Sequence, residues 1–431
     1  MSADNILEGL NPAQHDAVIH RGGPMLVVAG AGSGKTRVLT HRIAHLIQQD
    51  NVSPFGILAI TFTNKAAQEM KDRVAHLVGA VAERMWVSTF HSACVRILRR
   101  DAEQLGYPKA FSIYDQADAV RLTGYVLRDL GLDVKKFVPK SVHGHISNLK
   151  NELISADDAL DRAANIFDRK IAETFVEYQR RLRTSGAMDF DDLLTVTVEL
   201  FNNYPDVLDH YQRRFHHVLV DEYQDTNPAQ NDIVLKLADD HRNVFVVGDS
   251  DQSVYAFRGA DIRNILEFEK AFPDTSVVVL DQNYRSTQVI LDAANSVIAN
   301  NFGRKPKDLW TDKPTGDKIV LYRADDEVDE SAWIIAELQR LHLHGELRWS
   351  DVAIFYRANA QSRIVEEQLA GASIPYRVVG GTRFYDRREV KDALAYLRAV
   401  VNPSDEVSLK RILNVPKRGV GDSSVARLDQ Y

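Results

Sequence analysis

An α/β fold organised around a parallel sheet is what this sequence predicts, on three observations. Short apolar runs bounded by turn residues recur at 25–29, 57–60, 85–87, 217–220, 244–247 and 277–280, with helix-period segments between them. The first run leads into a glycine-rich turn, Gly30-Ala31-Gly32-Ser33-Gly34, that ends in Lys35-Thr36 before an amphipathic stretch through Val38, Leu39, Ile43 and Ile47. A later run, His217-Val218-Leu219-Val220, ends in Asp221-Glu222. Strands alternating with helices wind into a parallel sheet, and such a sheet gathers its chemistry at the carboxyl ends of its strands.

Taken in order, residues 25–36 form a strand, a turn and a helix start, the pattern of a P-loop. Successive backbone N–H groups can curl around phosphate oxygens and the helix terminus adds partial positive charge. Lys35 would reach the β- and γ-phosphates of a nucleoside triphosphate and Thr36 would hold Mg²⁺. The first position of the strict G-x-x-x-x-G-K-[ST] pattern is Ala29, a small departure in side-chain volume. Strand signals lapse between 89 and about 214, where helix-period segments at 119–130, 156–166 and 171–182 imply a helical insertion in the first α/β domain. A second α/β stretch is expected from about 281 to 380, with strands at 319–322, 352–356 and 376–379 and helices at 286–299, 330–341 and 363–372. A helix at 390–401 and another capped by Ser423 follow. The latter reaches Tyr431 without a C-cap or polar tail, so the chain is expected to be cut within a domain.

The chain has 431 residues, enough for two or more domains; 45% are hydrophobic and 26% charged, ordinary for a globular enzyme. A net charge of −7 argues against nucleic-acid binding by bulk attraction and leaves local grooves as the route. One cysteine, Cys94, excludes an intramolecular disulfide framework. With no signal-peptide pattern and no apolar run of spanning length, a cytoplasmic protein without a membrane partner is expected.

Asp221 suits a Mg²⁺ ligand and Glu222, the next residue, suits a group that orients or deprotonates an attacking water. Paired acids in a loop are common, but together with the P-loop they carry weight. Six blocks then occur in order: Ala29 to Thr36, Thr61-Phe62-Thr63-Asn64-Lys65-Ala66-Ala67, Thr89-Phe90-His91, Asp221-Glu222-Tyr223-Gln224-Asp225, Val247-Gly248-Asp249-Ser250-Asp251-Gln252-Ser253-Val254-Tyr255 and Gln282-Asn283-Tyr284-Arg285-Ser286-Thr287. With them the chain resembles the superfamily 1 DNA helicases of the UvrD/PcrA type along essentially its whole length.

That resemblance implies two RecA-like P-loop motor domains with helical insertions. The first motor domain would span 1–88 and 215–280, its insertion 89–214, the start of the second motor domain 281–380 and the start of a second insertion 381–431. It implies an ATP- and Mg²⁺-dependent, 3′ to 5′ translocase that hydrolyses ATP between its motor domains and unwinds DNA in repair or replication. Lys35, Asp221, Glu222, Gln252 and Arg285 would be catalytic, with Thr36 and Asp221 on the metal. Nucleotide contacts would run through Ala29, Gly30, Ala31, Gly32, Ser33, Gly34, Lys35, Thr36 and Arg37, with Gln14 pairing to adenine, Tyr284 stacking on it and Arg285 at the γ-phosphate.

For single-stranded and duplex DNA the implied contacts are Phe62, Thr63, Asn64, His91, Tyr255, Phe257, Arg258, Arg357 and Asn359. Phe257 stands where tryptophan is usual. Rings suit stacked bases of any identity, and neutral hydroxyl and amide groups suit phosphates in an acidic protein. Read alone, each aromatic is an ordinary core residue, and the basic runs Lys135-Lys136 and 383–388 are ordinary solvated faces. Repair or transcription proteins would be further partners. Because later motor motifs of the family have no counterpart here, this chain by itself is expected to bind nucleotide without unwinding. The alternative function is a nucleotide-gated DNA-binding or partner-recruiting module; a metabolic P-loop kinase would not need the Thr-Phe-Thr-Asn, Gln252 and Tyr284-Arg285 blocks.

Overall fold

A computed structural model describes residues 4–379, 387–421, 424, 425 and 427. The expected helix capped by Ser423 and most of the basic run at 383–388 lie outside the described residues. The chain divides into two compact units, residues 1–316 with 392–431 and residues 317–391.

The first unit is built on a six-stranded, all-parallel sheet. Its strands are β1 (Met25–Ala29), β2 (Ile57–Thr61), β3 (Trp86–Thr89), β6 (His217–Val220), β7 (Val244–Gly248) and β8 (Ser276–Leu280), in the order β3-β2-β6-β7-β1-β8. A separate two-stranded ribbon pairs β4 (Ser112–Ile113) with β5 (Ala187–Met188). The central strands are buried end to end because helices cover both faces. Alternate residues go to opposite cores. Leu26, Val28, Leu58, Ile60, Val218 and Val220 pack with Phe90, Leu193 and Phe201, whereas Met25, Val27, Ala29, Ile57, Ala59 and Leu219 pack with Val38, Leu39 and Ile43.

The register aligns the carboxyl ends of the strands. Ala29 pairs with Leu280, Val28 with Gly248, and Ile60 with Val220. The turns after β1, β2, β3, β6 and β7 therefore all leave the sheet along one edge. The insertion between β3 and β6 is helical as expected and has its own core, centred on Leu122, Val126, Ile146, Phe175 and Tyr178. The helices expected at 156–166 and 171–182 are both present, but the break between them falls earlier. Ala156–Asp161 ends, and Asn165 starts Ile166–Thr184 by accepting the Asp168 N–H at 2.9 Å. Residues after 392 return to this insertion, where Arg398 pairs with Asp118 at 2.9 Å and buried Asp405 accepts from the Tyr114 hydroxyl at 2.7 Å.

The second unit holds helices Glu327–Leu343 and Ser362–Gly371 around Ile335, Leu369 and Ile374. The strands expected at 319–322, 352–356 and 376–379 form no ladder among the described residues. Many of their apolar side chains face outward, with Leu321 93% and Phe355 92% exposed, although Ile354 packs against the small core. An extended segment becomes a strand only when a neighbour takes up its N–H and C=O groups, and an apolar pattern alone supplies none.

Candidate nucleotide and DNA site

The P-loop is the link between β1 and helix Lys35–Gln48. Its shape requires glycine at two positions: Gly32 has φ 67° and Gly34 φ 91°, both left-handed. Close approach also crowds any side chain at Gly30 and Gly32. A Cβ on Gly30 would lie 2.1 Å from Leu309 Cδ2, and one on Gly32 would lie 2.7 Å from Asn283 Nδ2 and 2.8 Å from Arg285 Cβ. Ala29 is the last residue of β1, fully buried, and its methyl belongs to the core.

Across the edge of the sheet, Lys35 Nζ lies 3.0 Å from Glu222 Oε2. Asp221, at the end of β6, is buried, and its carboxyl accepts the Glu222 N–H at 3.0 Å. Burial and the neighbouring Glu222 push the Asp221 carboxyl up to about 7, with Lys35 opposing. Glu222 itself has φ 51°, a left-handed conformation that costs a non-glycine residue about 1 kcal/mol and turns its side chain toward Lys35.

Gln224 extends the network. Its amide donates to Glu222 Oε2 at 2.9 Å and to Asp225 Oδ2 at 3.2 Å, and its carbonyl accepts the Asp249 N–H at 2.8 Å. Asp249 in turn accepts from Gln252 Nε2 at 2.5 Å. Polar contacts thus run unbroken from Lys35 to Gln252. Burial, with Glu222 adding to it, pushes the Asp225 carboxyl up to about 6.

Gln14, Tyr284 and Arg285 gather at the same loop. The Gln14 amide donates to the Ser33 carbonyl at 2.8 Å and accepts the Asn11 N–H at 3.2 Å, so it both braces the P-loop and closes the capping box of helix Pro12–Ile19. The Tyr284 N–H bonds the Gly32 carbonyl at 3.0 Å, while its hydroxyl accepts from Asn11 Nδ2 at 2.9 Å and donates to Gln282 at 2.8 Å. Asn283 carries the turn: its side-chain oxygen accepts the N–H groups of Arg285 and Ser286 at 2.8 and 2.7 Å, and its amide reaches the Ala31 carbonyl at 2.5 Å. Arg37 donates to the Glu8 carbonyl at 3.4 Å.

Thr36 and Asp221 offer a hydroxyl and a carboxylate, hard oxygen donors of the kind Mg²⁺ takes. Asp221 fits that use, because a buried carboxyl driven toward protonation is stabilised as the anion by a cation beside it. The chemistry of the donor set therefore suits the metal.

The turns after β2 and β3 build a second site on the same edge. A cleft of about 460 Å³ is lined by Phe62, Asn64, Thr89, His91, Arg96 and Phe190, among others. Phe62 stacks on Tyr255 with ring centres 5.1 Å apart, Tyr255 meets Phe257 at 6.0 Å, and His91 meets Phe190 edge-on at 5.7 Å. Thr63 and Thr89 cap helices Asn64–Val78 and Phe90–Asp101, so two positive helix termini open here. Burial holds the His91 imidazole below its ordinary range and keeps it neutral at pH 7. Arg258 ends the short turn Ala256–Arg258; its side chain lies outside the described residues. Arg357 and Asn359 belong to the second unit, at a turn where Gln361 accepts the Arg357 N–H at 3.1 Å.

Two family profiles cover this arrangement. The UvrD/REP helicase N-terminal domain matches residues 10–273, and the UvrD-like helicase C-terminal domain matches residues 278–431. The chain belongs to the UvrD/REP helicase family. Its architecture is accordingly that of two RecA-like motor domains. Similar proteins include the ATP-dependent DNA helicase PcrA of Bacillus subtilis (strain 168), 52% identical over 429 residues, covering 100% of this chain and 58% of that protein. PcrA of Staphylococcus aureus (strain Mu50) is 52% identical over 426 residues, covering 99% of this chain and 58% of its own length. The ATP-dependent DNA helicase UvrD1 of Mycobacterium bovis is 54% identical over 440 residues, 100% of this chain and 57% of that protein. This helicase-family chain thus spans a little under three fifths of these relatives. Among its described residues no helix is long and apolar enough to cross a membrane.

Several residues of the site were not singled out from sequence. Gln224 and Asn283 lie inside the recognised blocks, and their amides were the available signal. Asn11 was legible as a cap. Asp249 also lies inside one of those blocks, whereas Lys307 lies outside them all.

Proposed function

We propose that this chain is the nucleotide- and strand-gripping part of an ATP-dependent DNA helicase that translocates 3′ to 5′ on single-stranded DNA in repair or replication. The observation that carries the reading is the Lys35–Glu222 contact at 3.0 Å, which joins the phosphate loop to the acidic end of β6 at the sheet edge that also bears the aromatic cleft. Residues 1–88 with 215–280 form the first motor domain, 89–214 its insertion, 281–380 the beginning of the second motor domain and 381–431 the beginning of a second insertion.

In this reading the N–H groups of Gly30 to Lys35 hold the triphosphate and Lys35 neutralises its β- and γ-oxygens. Thr36 and Asp221 would hold Mg²⁺, which supplies further charge neutralisation to the phosphates. Glu222 orients the attacking water and takes its proton; Gln252 and Arg285 answer to the γ-phosphate. Tyr284 stacks on adenine, and Gln14 pairs with it by giving up its bond to Ser33. Phe62, Tyr255 and Phe257 stack on bases while Thr63, Asn64 and His91 take backbone phosphates, with Arg258, Arg357 and Asn359 as further DNA contacts. Gln224 and Asp249 wire the hydrolytic acid to the turn that carries Tyr255.

The deciding experiment measures ATP hydrolysis by the purified protein with and without single-stranded DNA. Stimulation by DNA that disappears in Glu222→Gln supports the motor. Turnover indifferent to DNA, together with nucleotide-dependent partner binding, favours a gated binding module instead.

A further inference from the structure

Resting on that reading, we infer that Lys307 is a positioning residue for Gln252, acting through Asp249. The carboxylate that accepts from the Gln252 amide on Oδ2 accepts on Oδ1 from Lys307 Nζ at 2.6 Å, and Lys307 also reaches Asp251 Oδ2 at 2.7 Å. The lysine side chain is 1% exposed and that of Asp249 2%. Arg304, three residues earlier, adds a bond to Asp251 Oδ2 at 2.7 Å. Two cations from one segment therefore grip two aspartates of the Gln252 turn, Asp249 at its start and Asp251 within it.

Structure alone gives a poor account of this arrangement. Burying an ammonium is expensive, and well-packed apolar side chains usually serve stability as well or better. What the ion pair provides is direction: together with the Asp251 N–H, which the same Oδ1 accepts at 3.1 Å, it fixes the Asp249 carboxylate plane and so the rotamer of Gln252. The same segment reaches the nucleotide loop. Leu309 packs on Gly30, the Trp310 carbonyl accepts the Asn283 N–H at 2.7 Å, and the Leu309 backbone is held at both N–H and C=O by Asn295 of helix Gln288–Ile298, at 3.1 and 2.9 Å. Lys307 and Leu309, two residues apart, thus touch the Gln252 turn and the phosphate loop from a single strap. A shift of the strap moves both.

The test is a double-mutant cycle on the purified protein. Lys307→Met should lower DNA-stimulated kcat by about 10- to 100-fold, the loss expected for a misplaced catalytic group, while affinity for a fluorescent ATP analogue stays within about twofold. In a Gln252→Ala background the same substitution should cost less than about twofold more, because its target is gone. A Lys307→Met enzyme that turns over at the wild-type rate overturns the inference, as do losses that simply multiply in the double variant. If Lys307→Met fails to fold, Lys307→Met/Asp249→Asn removes both buried charges; folded protein of that variant should keep the turnover defect, and wild-type turnover in it also overturns the proposal. Wild-type protein without DNA stimulation would instead remove the helicase reading itself, and this inference with it.

Discussion

Lys35 and Glu222, 187 positions apart in the chain, form an ion pair at 3.0 Å across the edge of the sheet. On the proposed reading, a bound triphosphate and Glu222 compete for Lys35. A phosphate oxygen that takes Lys35 must share it with Glu222 or displace it, and displacement frees the carboxylate for water.

Glu222→Gln should therefore separate binding from chemistry. Turnover stimulated by single strands is expected to fall by about 10²–10³ or more, while a fluorescent ATP analogue binds at least as tightly as to wild type. Lys35→Ala should weaken both. Hydrolysis at the normal rate by either variant would contradict the assignment.

Asp221 should make the protein pH-sensitive. Its carboxyl is raised from 3.8 to about 7 by burial and by Glu222. A raised acid binds its proton more tightly in the folded chain, so its stabilising contribution is complete below pH 4 and is lost as pH rises toward 7. In metal-free buffer Asp221→Asn should then raise Tm at pH 8 by about 1–2 °C, what ~1 kcal/mol is worth in a chain of this length, with no gain at pH 4. Mg²⁺ affinity in wild type should weaken from pH 8 to pH 6. Equal shifts at both pH values would refute the account.

The stacked pair Phe62 and Tyr255 should govern the grip on single strands. Each ring replaced by alanine is expected to cost about 1–3 kcal/mol per stacked base, or about 5- to 150-fold in Kd. Their contact at 5.1 Å makes the losses non-additive. Fluorescence anisotropy with labelled oligonucleotides of differing sequence would check this, and a loss confined to one sequence would count against a stacking platform.

Much of this edge was legible in advance because each strand ends where its chemistry begins. The apolar runs at 25–29 and 217–220 are the strands found, and Lys35 and Glu222 beyond their ends were each expected at a nucleotide, one at its phosphates and the other at an attacking water; their direct contact was not. The strands expected at 319–322, 352–356 and 376–379 share that composition, yet pairing depends on a neighbour that local pattern does not encode. Lys307 illustrates another limit. A lysine between Pro306 and Asp308 reads as solvated, and only the fold brings it under Asp249. Asp189, Asp191 and Asp192 likewise read as polar neighbours of Phe190, although they surround a buried lysine.

That lysine, Lys150, lies 2.8 Å from both Asp189 and Asp192. Burial opposes its charge, but the two carboxylates outweigh burial and hold the ammonium above its ordinary range. Lys150→Met would leave the acids buried and unpaired and should destabilise by about 3–5 kcal/mol at pH 8. Burial already pushes Asp192 up to about 6 and Asp191 up to about 7, each with Asp189 adding to it. Protonation should relieve the strain, so urea denaturation should show a smaller loss at pH 5. A loss independent of pH would exclude charge as its cause.

Burial pushes the Cys94 thiol up to about 12. Native protein should be inert to a thiol-specific chromogen at pH 8 and should react with one equivalent once unfolded; rapid labelling of the native chain would show that the core beneath β3 opens.

The contact between Leu309 and Gly30 alters what variation the phosphate loop can accept. The general pattern demands glycine at position 29 and leaves position 30 open, whereas here a buried alanine fills the first and a Cβ at the second would lie 2.1 Å from Leu309 Cδ2, so that the leucine would have to move. A mutational scan should therefore find position 30 costly to substitute unless residue 309 moves or changes with it.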